Sequence, residues 1–165
     1  MSDAPKRPRR AAGPPPNAAR LREAALAHLA RFAATEAGLR RVLERRIARW
    51  SRAAEAEGQP REAIATAIAA LRVEIASLAK SLVAAGAVND AVFAEGRARR
   101  LARSGHSRRA IAAHLAAKGI ETETAAAALP EGEETELLAA LAFCRRRRVG
   151  PFARVTADAP ARMKA

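Results

Sequence analysis

At 165 residues, with a formal net charge of +13 and a pI near 11.6, the chain is too short for several large domains and too basic to ignore polyanions. Half of its residues are hydrophobic, but only 3% are aromatic and none is tyrosine, so a core must be built from aliphatic and small side chains. Cys144 is the single cysteine, which excludes an intrachain disulfide and fits a reducing compartment.

Residues 1–17, MSDAPKRPRRAAGPPPN, combine prolines with basic side chains and have no apolar periodicity, so a disordered basic tail is expected. They carry charge where a secretory leader needs an apolar run, and no stretch approaches membrane-spanning length; a cytoplasmic protein without membrane contact is expected. From Arg20 to Phe32, the residues Leu21, Ala25, Leu29 and Phe32 recur at helical spacing. Thr35 then offers an N-cap to a second helix carrying Leu39, Leu43, Ile47 and Trp50 and running to about Glu57. Gly58, Gln59 and Pro60 break it. A third helix places Ile64, Ile68, Leu71, Ile75, Leu78 and Leu82 at alternating spacings of four and three, a seam that packs on the other helices. Because those helices also need a partner, the expected state is a monomer. Gly86 ends this helix, Asn89 or Asp90 caps the next, and a first module covers 18–88.

The chain then repeats itself. Slid along itself so that Leu29 meets Leu101, it also aligns Arg31 with Arg103, Thr35 with Ser107, Leu39 with Ile111, Leu43 with Leu115 and Arg46 with Lys118. Recurrence of apolar, capping and basic positions marks a modular helical array. The second module covers 89–130. A third begins at 131–152, where a helix from about Glu134 to Val149 carries Leu138, Leu141 and Phe143 ahead of four arginines. Residues 153–165 show no further periodic helix and are expected as a second disordered tail. The fold class is therefore all-α: tandem helical modules in an elongated helical repeat, with the third module incomplete.

The stretch Asp90 to Ile120, DAVFAEGRARRLARSGHSRRAIAAHLAAKGI, resembles the RecX family, whose second module has an acidic residue, then FA, a basic helix, a glycine turn and a helix closing in KGI. The motif and core positions of that resemblance are Asp90, Phe93, Ala94, Leu101, Ser107, Ile111, Leu115, Gly119 and Ile120. The agreement extends more loosely to Leu21 through Ile47 and Leu137 through Phe152. Asn89 stands where an aspartate is common, and Trp50 to Pro60 reads as an insertion. The resemblance implies tandem three-helix modules and a cytoplasmic, non-enzymatic partner of the RecA recombinase filament on DNA, restraining its ATPase and strand exchange.

The residues that could carry such binding are basic. On the helix opening at Asp90, a rotation of about 100° per residue sets Phe93, Ala94, Ala98 and Leu101 on one side and Arg99, Arg100 and Arg103 on the other, with Arg97 at the boundary. The Phe93 ring is expected to anchor the module core, while the guanidinium forks suit carboxylates or phosphates. Ser107 caps the following helix and puts Arg108 and Arg109 in its first turn, where the helix dipole disfavours cations, a local cost without packing return. Lys118 precedes the terminal Gly119. Arg145, Arg146, Arg147 and Arg148 exceed what dipole compensation at a helix end requires. His28, His106 and His114 lack metal-ligand spacing, and no nucleophile–base constellation or phosphate loop is present, so no metal, cofactor or catalysis is expected. The alternative reading is a non-specific DNA-binding protein of helix-turn-helix type across Arg97 to Lys118. Its second helix, RRAIAAHLAAKG, has few side chains able to read base edges.

Overall fold

The computed structural model describes residues 13–153, which form seven α-helices and a short 3₁₀ turn. They are α1 (Ala18–Leu29), α2 (Glu36–Ala56), α3 (Arg61–Ala84), α4 (Asp90–Arg103), α5 (Arg108–Ala117), α6 (Thr122–Ala127) and α7 (Glu133–Arg147), followed by Gly150–Phe152. No strand occurs among the described residues, as expected where alanine, arginine and glutamate dominate and lose little rotamer freedom in a helix. Most of the two expected tails, 1–12 and 154–165, lies outside the described residues. The helices divide into two compact units between Asn89 and Asp90.

In the first unit, α1 begins before Arg20. Asn17, assigned from sequence to the tail, is its N-cap: the side-chain oxygen accepts from the Arg20 N–H at 2.9 Å. Just upstream, Pro16 is buried, and the Trp50 indole donates to the Gly13 carbonyl at 3.2 Å. The helix stops at Leu29 rather than Phe32. That ring is 56% exposed and lies 5.3 Å from the His28 ring, so it does not extend the buried stripe. The chain needs Ala30 to Thr35 to reverse direction before the Thr35 hydroxyl accepts from the Gly38 N–H at 2.9 Å and opens α2.

Leu21, Ala25, Leu39, Leu43, Ile47, Leu71, Ile75, Leu82 and Val88 then form one core. Trp50, Ala54 and Ile64 form a smaller cluster at the far end of α2 and α3. At about 1.5–3 kcal/mol for each large aliphatic side chain removed from water, this packing holds the three helices together. Within the α3 seam, Ile64, Leu71, Ile75 and Leu82 are buried, while Ile68 and Leu78 lie at its margin.

The second unit repeats the pattern with smaller parts. Ala94, Ala98, Leu101, Ile111, Leu115, Ile120 and Ala125 form its core. Phe93, expected as the anchor, is only partly buried against it. Alanines at positions 94 and 98 let α4 approach its neighbours closely, leaving no interior space that demands a ring. The KGI ending has a structural meaning: Gly119 is left-handed at φ +82, and the Ile120 N–H reaches back to the Leu115 carbonyl at 3.2 Å. This tucks buried Ile120 under the helix, as in a Schellman cap. At the end of α3, Gly86 and Val88 do the same work around Leu82.

The internal repeat holds at the caps and in the second helices: Thr35 and Ser107 both cap, and Leu39, Leu43, Ile111 and Leu115 are all buried. In the first helices it slips by one residue. Leu21 and Ala25 are buried where α4 buries Ala94 and Ala98, because the first copy uses a longer turn between its helices. The helix assigned from sequence to a third module, α7, packs on α4 within the second unit. It does so through small side chains, with Ala139 buried, while Leu137, Leu138, Leu141 and Phe143 are exposed.

Candidate functional site

The arginines selected from sequence do not share one environment. Arg97 turns inward: its Nε–H donates to His114 Nε2 at 2.9 Å, tying α4 to α5. Burial, then the charges of Arg97, Lys118 and His106, hold the His114 pKa below its ordinary value, which keeps the ring neutral and able to accept. Arg99 faces solvent and pairs with Glu95 at 3.4 Å, an i,i+4 contact worth a few tenths of a kcal/mol. Arg100, Arg103 and Arg109 are exposed.

Arg108 is a correction. The expectation of a local cost without packing return fails, because its guanidinium donates to the Pro130 carbonyl and its backbone N–H to Glu136 Oε1 at 3.3 Å. Both bonds join the start of α5 to the segment that opens α7, so Arg108 has a structural task. Lys118 caps the C-terminus of α5, where the dipole favours a cation.

Two separated sequence segments do converge. Arg103 and Ser104 at the end of α4 line a groove of about 520 Å³ with Leu138, Leu141, Ala142, Arg145, Arg146 and Phe152. Its rim is guanidinium and its floor apolar. The Arg145 guanidinium sits 5.3 Å from the Phe152 ring centroid, and Arg146 and Arg147 each lie 5.9 Å from that of Phe143. Stacking of this kind orders otherwise floppy side chains and leaves their charge toward solvent. Arg148 takes a left-handed conformation at φ 55, the sole non-glycine to do so among the described residues. Glycine fills the equivalent place at the ends of α2, α3, α4 and α5, at positions 58, 86, 105 and 119. An arginine there costs about 1–2 kcal/mol that a glycine would not.

What places α7 against α4 was missed in the sequence. Gly105 is buried and left-handed at φ +81. A Cβ added there would come within 2.5 Å of the Phe143 backbone nitrogen and 3.0 Å of the Ala139 carbonyl oxygen. The GH pair after the basic helix carried this signal, but a glycine that merely turns the chain looks the same in one dimension. Also missed was a run of arginines on α2, of which Arg41 and Arg45, with Arg72 of α3, line a second groove in the first unit. Among the described residues no cluster of three or more His, Cys, Asp or Glu is placed to hold a metal, and no helix is long and apolar enough to cross a membrane.

Comparison with known proteins joins this geometry to a family. Residues 89–129 match the family model described as RecX, second three-helix domain. A regulatory protein RecX of Myxococcus xanthus (strain DK1622) is 36% identical over 151 residues, covering 90% of this chain and 72% of that protein. A regulatory protein RecX of Agrobacterium fabrum (strain C58) is 44% identical over 72 residues, 44% of this chain and 38% of that one. No solved structure gives a significant match. The all-helical repeat, the capped glycine turn of the second unit and a relative alike across most of both lengths agree: the chain belongs to the RecX family.

Proposed function

We propose that this chain is a non-enzymatic, cytoplasmic modulator of RecA recombinase filaments that acts as a monomer and restrains ATP hydrolysis and strand exchange. Its basic helices enter the filament groove, where acidic side chains and nearby phosphate meet ordered guanidinium groups. The observation that carries this reading is the convergence of Arg103, Arg145 and Arg146 on one groove, beside Arg148 in a conformation unfavourable for arginine. A local rule broken without a stabilising return points to selection for binding.

Arg99, Arg100 and Arg109 extend the same charge. Such an array steers association and is salt-sensitive. The test is ATP hydrolysis by preassembled filaments at fixed, near-physiological salt. Hydrolysis falls as the protein is added, and joint reversal of Arg99, Arg100 and Arg103 to glutamate abolishes the effect. No change at excess wild-type protein refutes the reading.

One observation favours a second reading, non-specific nucleic-acid binding. Phe143 and Phe152 lie under arginines, and aromatic and guanidinium planes together are how single strands are held. The exposed face of α5 is largely alanine, so sequence-specific readout is not supported. Equal loss of DNA and filament affinity in the triple reversal favours this second reading over the first.

A further inference from the structure

The first unit carries a groove of different character. Arg41, Arg45 and Ala48 stand at i, i+4 and i+7 on α2, and Ile68 and Arg72 at i and i+4 on α3, so each set shares one helix stripe. With Glu44, Ile47 and Ser51 they bound an open groove of about 580 Å³, the size range of sites that seat a few side chains. Its floor is aliphatic: Ile47 is buried and Ile68 partly so. At the rim, Arg45 and Arg72 are exposed and make no ion pair among the described residues.

We propose that this groove docks an acidic, amphipathic helical segment of a partner protein, its aliphatic side chains on the Ile47–Ala48–Ile68 floor and its carboxylates on Arg45 and Arg72. Charge complementarity selects acid. Each guanidinium can take a carboxylate in bidentate fashion. Glu44 lies among the arginines and penalises a ligand whose carboxylate falls out of register.

The floor selects protein over nucleic acid. No aromatic ring lines this groove, so a single strand would meet cations without a surface on which bases stack. The groove of the second unit, with Phe152, offers what this one lacks. The assignment does not rest on the recombinase reading, which uses the other unit.

The test uses the full chain and a fluorescein-labelled dodecapeptide of glutamate and leucine with carboxylates at i, i+4 spacing, followed by anisotropy at near-physiological salt. Saturable binding is expected. It weakens at least tenfold in Arg45→Glu/Arg72→Glu and for a peptide with glutamine replacing glutamate, and at least fivefold for a peptide with alanine replacing leucine. Binding of a thymidine oligonucleotide stays within about twofold in the same variant. Both positions are exposed, so the fold should persist; Arg45→Gln/Arg72→Gln, with an intermediate loss, supplies a milder check alongside helicity by circular dichroism. Equal peptide binding by wild type and both variants overturns the proposal. So does tight binding of the glutamine peptide, a parallel loss of oligonucleotide binding, or self-association of the wild-type chain that Arg45→Glu/Arg72→Glu abolishes, which would make a second copy the occupant.

Discussion

The two units use one helical pattern for different ends. Up to Asn89, leucines and isoleucines of the long helices α2 and α3 meet α1 in a core of nine buried residues. Beyond Asp90, three of the seven core residues are alanine, α5 has 10 residues and α6 only 6, and the leucines and Phe143 of α7 are exposed. The second unit buries smaller side chains and leaves more of its large apolar ones at the surface, Leu137, Leu138, Leu141 and Phe143 of α7 among them. A repeat can thus keep its caps and its second-helix core positions while its copies diverge in the size of the side chains they bury.

The sharpest test of that contrast is to remove one equivalent core leucine from each unit. Leu43 and Leu115 are both fully buried, and either substitution to alanine should cost about 2–5 kcal/mol. In the first unit the remaining aliphatic core should tolerate the loss. The second has less to spare, so hydrogen exchange should show amides from Asp90 onward losing protection in Leu115→Ala while those of α2 and α3 keep theirs. Uniform loss across the chain in either variant would break the comparison, because the two units would then unfold as one.

Gly105→Ala comes next. A left-handed alanine costs roughly 1–2 kcal/mol, and here the added methyl also meets the α7 backbone. Gly58 in the first unit has the same handedness at φ +78 but nothing within 4 Å of an added Cβ. Gly58→Ala should therefore show the conformational cost alone, and Gly105→Ala should in addition free α7, read as faster exchange of its amides. Similar melting shifts and an undisturbed α7 in both variants would remove the close approach from the account.

These sites also explain what the sequence could and could not convey. Caps at Thr35 and Ser107, the α3 seam and the glycine endings follow from local rules, so they were legible residue by residue. Packing partners were not. Periodicity marks the large apolar side chains of α7, yet Leu138, Leu141 and Phe143 are exposed. The docking face of α7 is instead set by Gly105, where only small residues such as Ala139 allow backbones to approach. Phe93 packs against the core of its unit but is only partly buried, so its truncation should cost below the roughly 3–5 kcal/mol of a fully buried ring. Arg97 reads only as a boundary residue, and Arg108 as a first-turn cation without packing return, because a helical wheel cannot show that His114 or the Pro130 carbonyl waits on the next segment.

Arg148→Gly separates display from stability on one residue. Glycine should stabilise the end of α7 by about 1 kcal/mol while weakening polyanion binding and lowering its salt slope by about one charge. A variant that is more stable and binds as well as wild type would leave the left-handed arginine without a functional reason.

The smallest effect is the pH dependence of the second unit, and its sign follows from His114. Because the folded state depresses its pKa below 6.5, the unfolded chain binds the proton more readily, so the stabilisation is complete above that value and declines as the pH falls through it toward the folded pKa. Protonation places an N–H on Nε2 opposite the Arg97 Nε–H, removes the hydrogen bond and sets a third cation beside Arg97 and Lys118. In His114→Gln the amide oxygen can still accept from Arg97 but does not titrate. Between pH 7 and 5, hydrogen exchange in α4 and α5 should accelerate in wild type relative to this variant, with α2 and α3 unaffected. If both proteins lose protection alike, the Arg97–His114 contact is not a proton-sensitive tie, and the boundary arginine belongs with the outward-facing ones.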